Sequence, residues 1–345
     1  MNSLPAPECR SPIPRLLMLG PLLFVGCRSS HECDDRTHAN RVLLVEDGEA
    51  TLENIGSDID ALARDQAGAV WSIRDDVLFE DGHEVGGLTG YLEDIARLGD
   101  RVAVLEESPE YALLLRDPAD AEPVELAPAG STYGGVLAEY AGTTWIVEHT
   151  RNGSSTGPIQ IWRDDGAGWS SELLEGFVAS WTPLAAAAGP DGLAFAWYRN
   201  MSFHLVTEAD GAWTELASEA AHDLSGLVVD ADGTPWMALA SEPDKARIVQ
   251  AGVCAVDLDD LAPHVALAVE SDGVVAYGFA LDGAAWRVSL SADCTPTAEQ
   301  LTPSAGDGLD TSWRAHSGDG AVVLGDFVVG EDGEDFEDPY VPACY

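Results

Sequence analysis

Apolar positions in this chain fall into short runs, and most runs are cut by a turn that contains glycine. Residues 184–197 run apolar into Gly189, Pro190, Asp191 and Gly192, then out again through Leu193, Phe195 and Trp197. Residues 227–238 repeat the pattern around Asp232 and Gly233, with Trp236 beyond the turn, and residues 265–277 repeat it around Asp272 and Gly273. An Asp-Gly pair supplies the left-handed backbone of a tight hairpin, type I′ or a relative of it. Each block therefore predicts two antiparallel strands. Weaker copies lie at residues 59–71, 95–105, 136–147 and 313–324, turning near Gly68, Gly99, Gly142 and the pair Gly318 and Gly320. Long stripes of helical period are absent. Residues 215–224 come closest and read as a loop or a single helical turn.

The anchor glycines are Gly68, Gly99, Gly142, Gly192, Gly233, Gly273 and Gly320, with spacings of 31, 43, 50, 41, 40 and 47 and a mean of 42. Outer hairpins follow at residues 159–169 and 203–213. Trp213, Cys254 and Cys294 each lie 21 residues after their anchor, so the phase holds within the unit as well. A unit of this length accommodates about four strands of ordinary size. One four-stranded sheet cannot bury both of its faces alone, whereas sheets packed radially bury them against their neighbours. The sequence thus predicts an all-β chain folded as a β-propeller of about seven four-stranded blades over residues 50–330. Six or eight blades are the neighbouring counts, because the first two units and the last are degenerate. A pair of β-sandwiches or a β-solenoid is the structural alternative.

The block at residues 59–71, with Asp65, Gly68 and Trp71, resembles blades of the sensor-type bacterial propellers. The later repeats, with Asp-Gly early and Gly-x-Trp late, are similar to blades of secreted bacterial lipoproteins. This resemblance implies an architecture and no particular activity, since propellers host many functions.

The N-terminal segment carries Arg10 and Arg15 and then an apolar run from residue 16 to Gly26, about half the length needed to span a bilayer. Polar, acid-rich sequence begins abruptly after Cys27. The order Leu23, Phe24, Val25, Gly26, Cys27 resembles a bacterial lipoprotein signal, with Phe24 where leucine is usual. The resemblance implies that residues 1–26 are a signal peptide and that Cys27 is lipidated on its thiol and acylated on its new amine. Several acyl chains give a stable membrane anchor where one does not. Arg28 after the cysteine implies the outer membrane, facing the periplasm or the cell surface. Residues 27–49 read as the lipidated cysteine and a polar tether, and residues 331–345 as an acidic tail holding Cys344.

Charge narrows the range of partners. The chain has 60 acidic against 17 basic residues, a net of −43, and Lys245 is its one lysine. Nucleic-acid binding needs a basic footprint, and none is present. Beyond Cys9 in the signal and Cys27, four cysteines remain, an even number for an oxidising compartment. A propeller brings its ends together, which favours Cys33–Cys344 as a staple across the closure and leaves Cys254 and Cys294 as the second pair. That second pair sits at equivalent points of adjacent blades, where the separation is a test of reach.

Signatures of chemistry are sparse. Residues 153–157 match G-x-S-x-G, but Pro158 follows where a nucleophile elbow needs a helix. This motif reads as a hairpin loop. Acidic clusters at Asp164 and Asp165, at Asp230 and Asp232, at Asp257, Asp259 and Asp260, and at residues 331–338 offer oxygen ligands, and calcium is the one cofactor to consider. None matches an EF-hand loop, and aspartates in turns also cap their own backbone. Trp181, Trp197, Trp236, Trp286 and Trp313 are candidates for glycan or peptide contacts or for packing between blades. The composite expectation is a noncatalytic envelope or cell-surface lipoprotein that binds a protein or glycan. The alternatives are an exported propeller enzyme acting on a polysaccharide and an envelope-assembly scaffold.

Overall fold

The computed structural model describes residues 37–46, 49–54, 60–117, 123–128, 130–151, 156–180, 185–209, 212–242, 245–259, 261–271, 273–291, 294–302, 308–317 and 322–329. Its first two strands are β1 (Thr37–Glu46) and β2 (Glu49–Asn54). Blade 1 follows with β3 (Ala61–Arg64), β4 (Val70–Arg74), β5 (Val77–Glu80) and β6 (His83–Gly87). Blade 2 has β7 (Tyr91–Leu98), β8 (Arg101–Glu107), β9 (Leu113–Arg116) and β10 (Val124–Ala127). Blade 3 has β11 (Thr132–Tyr140), β12 (Thr143–Thr150), β13 (Thr156–Asp164) and β14 (Ser170–Ser180). Blade 4 has β15 (Ala185–Gly189), β16 (Gly192–Arg199), β17 (Ser202–Ala209) and β18 (Ala212–Glu219). Blade 5 has β19 (Asp223–Val229), β20 (Pro235–Glu242), β21 (Lys245–Gln250) and β22 (Cys254–Leu258). Blade 6 has β23 (Ala266–Glu270), β24 (Gly273–Phe279), β25 (Ala285–Leu290) and β26 (Pro296–Gln300). The last strands are β27 (Gly308–His316) and β28 (Val322–Val329).

The strands form seven four-stranded sheets, each antiparallel throughout. The first strands of successive sheets pack on one another, β3 on β7, β7 on β11, and so on to β23 on β27. This is the β-propeller. Blade 7 has the order β2-β1-β28-β27, so both ends of the propeller chain lie in one sheet, with Thr37 opposite Val329 and Leu44 opposite Val322. The strands therefore begin at Thr37 rather than at residue 50, inside the segment read as a tether. The physical reason is the run Val42, Leu43, Leu44 and Val45, which is buried to 4% exposure or less and supplies the apolar register for β28.

In blades 1 to 6 the second strand is buried on both sides, and its side chains alternate between two neighbours. In β16, Leu193, Phe195 and Trp197 point into the cluster shared with blade 3, while Ala194 and Ala196 join the cluster shared with blade 5. In β20, Met237 and Leu239 face blade 4, while Trp236 and Ala238 face blade 6. Period-two alternation between two apolar environments reads in sequence as a continuous apolar run. Burial of each large side chain contributes roughly 1.5–3 kcal/mol relative to exposure.

The anchor glycines occupy one topological place. Gly68, Gly99, Gly142, Gly192, Gly233 and Gly273 all sit in the turn between the first and second strands of their blades, every one with positive φ. Gly320 lies between β27 and β28, outside the described residues. Residues 215–219 belong to strand β18 rather than to a helical turn.

Candidate functional site

The glycine turns share one face of the propeller, and the axial cavity opens there. It holds about 710 Å³ and is walled by small apolar side chains of the first strands, among them Ala96, Ala138, Ala187, Val228 and Ala268. Three acids stand at its rim. The Glu139 carboxylate accepts the Gly142 N–H at 2.7 Å. Asp230 closes its own turn, accepting from the Asp232 and Thr234 N–H groups at 3.0 and 2.8 Å and from the Trp236 indole at 2.9 Å. Glu270 accepts from the Tyr277 hydroxyl and the Arg287 guanidinium. Burial, followed by the bond to Glu270, pushes the Tyr277 hydroxyl up to about 12, and the bond to Glu270 raises Arg287 further. Each acid of the rim is thus held by its own chain.

A second concavity of about 360 Å³ lies on the same face between blades 3 and 4 and shares Tyr140 and Pro190 with the axial cavity. Tyr140 ends β11 and is 42% exposed. Trp145 and Arg163 are cross-strand partners on β12 and β13, with the guanidinium 5.8 Å from the indole centre. Asp191 and Gly192 come from the β15–β16 turn, and Glu208 from β17. Gly192 has φ +121°, and a Cβ there would lie 3.8 Å from the Glu208 carboxylate.

The opposite face carries the buried ionisable groups of blades 2 and 3. Arg116 donates to Glu106 at 2.6 Å and to the Thr89 hydroxyl at 2.8 Å, forming a buried ion pair. Glu148 is 1% exposed and accepts the Trp162 indole N–H at 2.6 Å, while its Oε1 has no hydrogen-bond partner. Burial raises its carboxyl to about 7, against smaller lowering effects of Trp162 and Thr132. Burial also raises Glu107, against the lowering charge of Arg151. Arg151 lies 3.8 Å from the Tyr111 ring centre. Tyr111 has φ +63°, held by its N–H to Ser108 and by Ser131 and Thr132 donating to its carbonyl. Glu148 is sealed from any substrate, so its raised pKa marks buried structure.

The residues singled out from sequence sort as follows. Cys254 and Cys294 form a disulfide with Cα atoms 6.4 Å apart, within normal reach. They meet because both open the outer part of their blades and pack into the apolar cluster between blades 5 and 6. Cys27, Cys33, Cys344, Trp181 and the acidic run at 331–338 lie outside the described residues. So do residues 153–155 of the G-x-S-x-G match, whose last two residues, Thr156 and Gly157, open strand β13. Trp197 and Trp236 are core residues, 2% and 3% exposed, and Trp286 packs on the same cluster as the disulfide. Trp313 sits on β27. Asp164 accepts the N–H groups of Gly166 and Gly168, and Asp257 makes a two-pronged bond with Arg247 that lowers its pKa. Among the described residues, no group of three or more His, Cys, Asp or Glu side chains is placed to hold a metal ion. Sequence reasoning missed Tyr140, Arg163 and Glu208, which become neighbours only when blades 3 and 4 pack.

No family profile and no curated protein matches the chain in sequence. Among solved structures it is similar to a fungal lectin from Aleuria aurantia, described as a six-bladed β-propeller with a novel fucose recognition mode, at 10% identity and a TM-score of 0.45, over 78% of this chain and 98% of that one. It is also similar to apo AztD from Citrobacter koseri at 10% identity and a TM-score of 0.45, over 85% and 99% of the two chains. A third similarity is to YCF48 from Cyanidioschyzon merolae at 14% identity and a TM-score of 0.43, over 85% and 97%. At these values the likeness carries neither ligand nor activity to this chain.

Proposed function

We propose that this propeller is a noncatalytic binding module of an envelope lipoprotein, anchored through Cys27 and engaging a protein or glycan with its glycine-turn face. One observation carries the binding part: the acids lining the axial cavity are all committed to bonds within the chain, against a wall of small apolar groups. Such a surface offers shape and contact area, and none of these three rim carboxylates is free for proton transfer. The anchor rests on the lipoprotein-like order ending at Gly26 and Cys27. The test uses full-length protein extracted from membranes. Crosslinking should capture an envelope component, and glycans or peptides recovered from the immobilised protein should be chemically unchanged. Shortened glycan products would overturn the noncatalytic reading. Mass spectrometry should find an acylated N-terminal Cys27, and an unmodified Cys27 preceded by residues 1–26 would remove the anchor.

A further inference from the structure

We propose that the concavity between blades 3 and 4 binds a sugar residue, held by hydroxyl hydrogen bonds on the rim and by ring contact against Tyr140. This rests on the binding reading above and names the ligand class for part of that face.

The starting point is which polar groups have partners. Around the axial cavity the acids are bonded internally. In the adjoining pocket the reverse holds. Arg163, Tyr140, Thr143 and Glu208 all line the concavity, and among the described residues none of these side chains has a hydrogen-bond partner, while the neighbouring Asp191 lays its carboxylate against Gly233 of blade 5. The set contains charged donors, charged acceptors and hydroxyls that can act as either. A ligand that satisfies it must present donors and acceptors together on a small frame. A pyranose does this, since each hydroxyl donates and accepts, and its C–H face suits the exposed Tyr140 ring. The volume of about 360 Å³ lies at the small end of ligand pockets and suits one or two rings.

Charge separates this ligand from its rivals. The pocket sets the one guanidinium of Arg163 beside Glu208, in a chain of net charge −43, so an anionic ligand gains little there. A lysine or arginine side chain of a peptide would seek the indole face, but Arg163 already stands over it at 5.8 Å. A neutral polyol avoids both penalties. Its binding should therefore depend weakly on ionic strength, whereas a cationic peptide drawn by the acids would be released by salt.

The experiment is saturation-transfer NMR on the full-length protein, with free glucose, galactose, mannose and N-acetylglucosamine as separate probes and a dilysine peptide as the rival. At least one sugar should receive saturation, with little change between low and high salt. Arg163→Ala and Glu208→Gln should each weaken that sugar on the order of tenfold or more, as expected for one charge-assisted hydrogen bond. Glu299→Gln, on the exposed outer strand β26, should leave it unchanged. Circular dichroism checks that each variant is folded, and Glu208→Gln keeps the shape of the side chain. A sugar signal indifferent to both pocket substitutions, a salt-sensitive peptide signal in place of sugar, or no sugar signal would overturn the site. Capture of an envelope component by the same preparation would then leave the broader binding reading standing, and failure of both experiments would retire both.

Discussion

At the scale of single residues, one clamp recurs and explains why Asp, Gly and Trp fall at fixed spacing. Asp65 accepts the Ala69 N–H at 2.9 Å and the Trp71 indole at 3.2 Å, and Asp230 does the same for Thr234 and Trp236. In both, the glycine N–H returns to the aspartate carbonyl. One carboxylate therefore fixes the turn and supplies the partner that a buried indole N–H needs. Asp230→Ala removes these bonds and leaves the Trp236 donor unpaired, so it should cost about 1–3 kcal/mol in urea unfolding. Asp230→Asn, which keeps a carbonyl oxygen, should cost less. Glu148 gives a pH prediction of determinate sign. Its carboxyl rises from 4.5 to about 7 on folding, so the folded state holds a proton that the unfolded state releases. Stability from this group is then greatest below the unfolded value and falls as pH rises from about 4.5 to about 7. A shift of this size corresponds to roughly 3 kcal/mol as an upper figure. Glu148→Gln should flatten this slope relative to the parent and gain stability at pH 8. A parallel pair of pH curves would show that Glu148 titrates normally.

At the scale of elements, the blade is the unit, and the joints between blades hold the energy. The Cys254–Cys294 bond joins the outer parts of blades 5 and 6 across 40 residues. In the chain-entropy account a loop of this size is worth about 4 kcal/mol, and real values are often smaller. A Cys254→Ser, Cys294→Ser double variant should lower stability by about 2–4 kcal/mol, and hydrogen exchange should rise most in blades 5 and 6. Uniform loss across all blades would show that the bond acts on the whole ring instead. The elements were legible where both physics and period agreed. First-to-second strand turns demand a left-handed residue, so glycine marks them, and second strands are buried on both sides, so they read as apolar runs. The outermost strands were less legible. β18 is largely exposed, and Thr214, Glu215 and Leu216 keep no inside and outside to alternate between, so residues 215–224 resembled a loop or turn. Among the tryptophans offered as ligand platforms, Trp197, Trp236 and Trp286 are packing residues, because a two-sided core has room for indoles. The pocket between blades 3 and 4 was not legible at all. Its polar groups run from Tyr140 to Glu208, each ordinary in its own strand, and only packing makes them a set.

At the scale of the whole molecule, the weakest joint is the one that local sequence cannot close. Blade 7 is assembled from β27 and β28 at one end of the propeller and β1 and β2 at the other, so closure requires pairing across almost the entire chain. Such pairing forms late and frays first, because a long loop must be closed before any contact compensates. The self-repulsion of a chain with net charge −43 works in the same direction. A covalent staple at this joint would offset both effects. Thr37 is the register partner of Val329, so the chain leaves the sheet from adjacent points. Cys33 lies four residues before Thr37, and Cys344 lies fifteen after Val329. At about 3.3–3.6 Å per extended residue, either segment can reach the other. Cys254 and Cys294 are already bonded to each other, so if the chain is exported to an oxidising compartment, as proposed above, Cys33 and Cys344 are the pair expected to join. Nonreducing peptide mapping should recover a Cys33–Cys344 peptide. Free thiols at both positions, or either one joined to Cys254 or Cys294, would defeat the prediction. The bond closes a loop of about 311 residues, for which the chain-entropy term is about 5–6 kcal/mol before strain and residual structure reduce it. Since β1 and β28 are already zipped in the folded state, the staple should act mainly on unfolding. Cys33→Ser should therefore raise the unfolding rate, and added salt should recover part of the loss by screening the repulsion that pulls the joint apart.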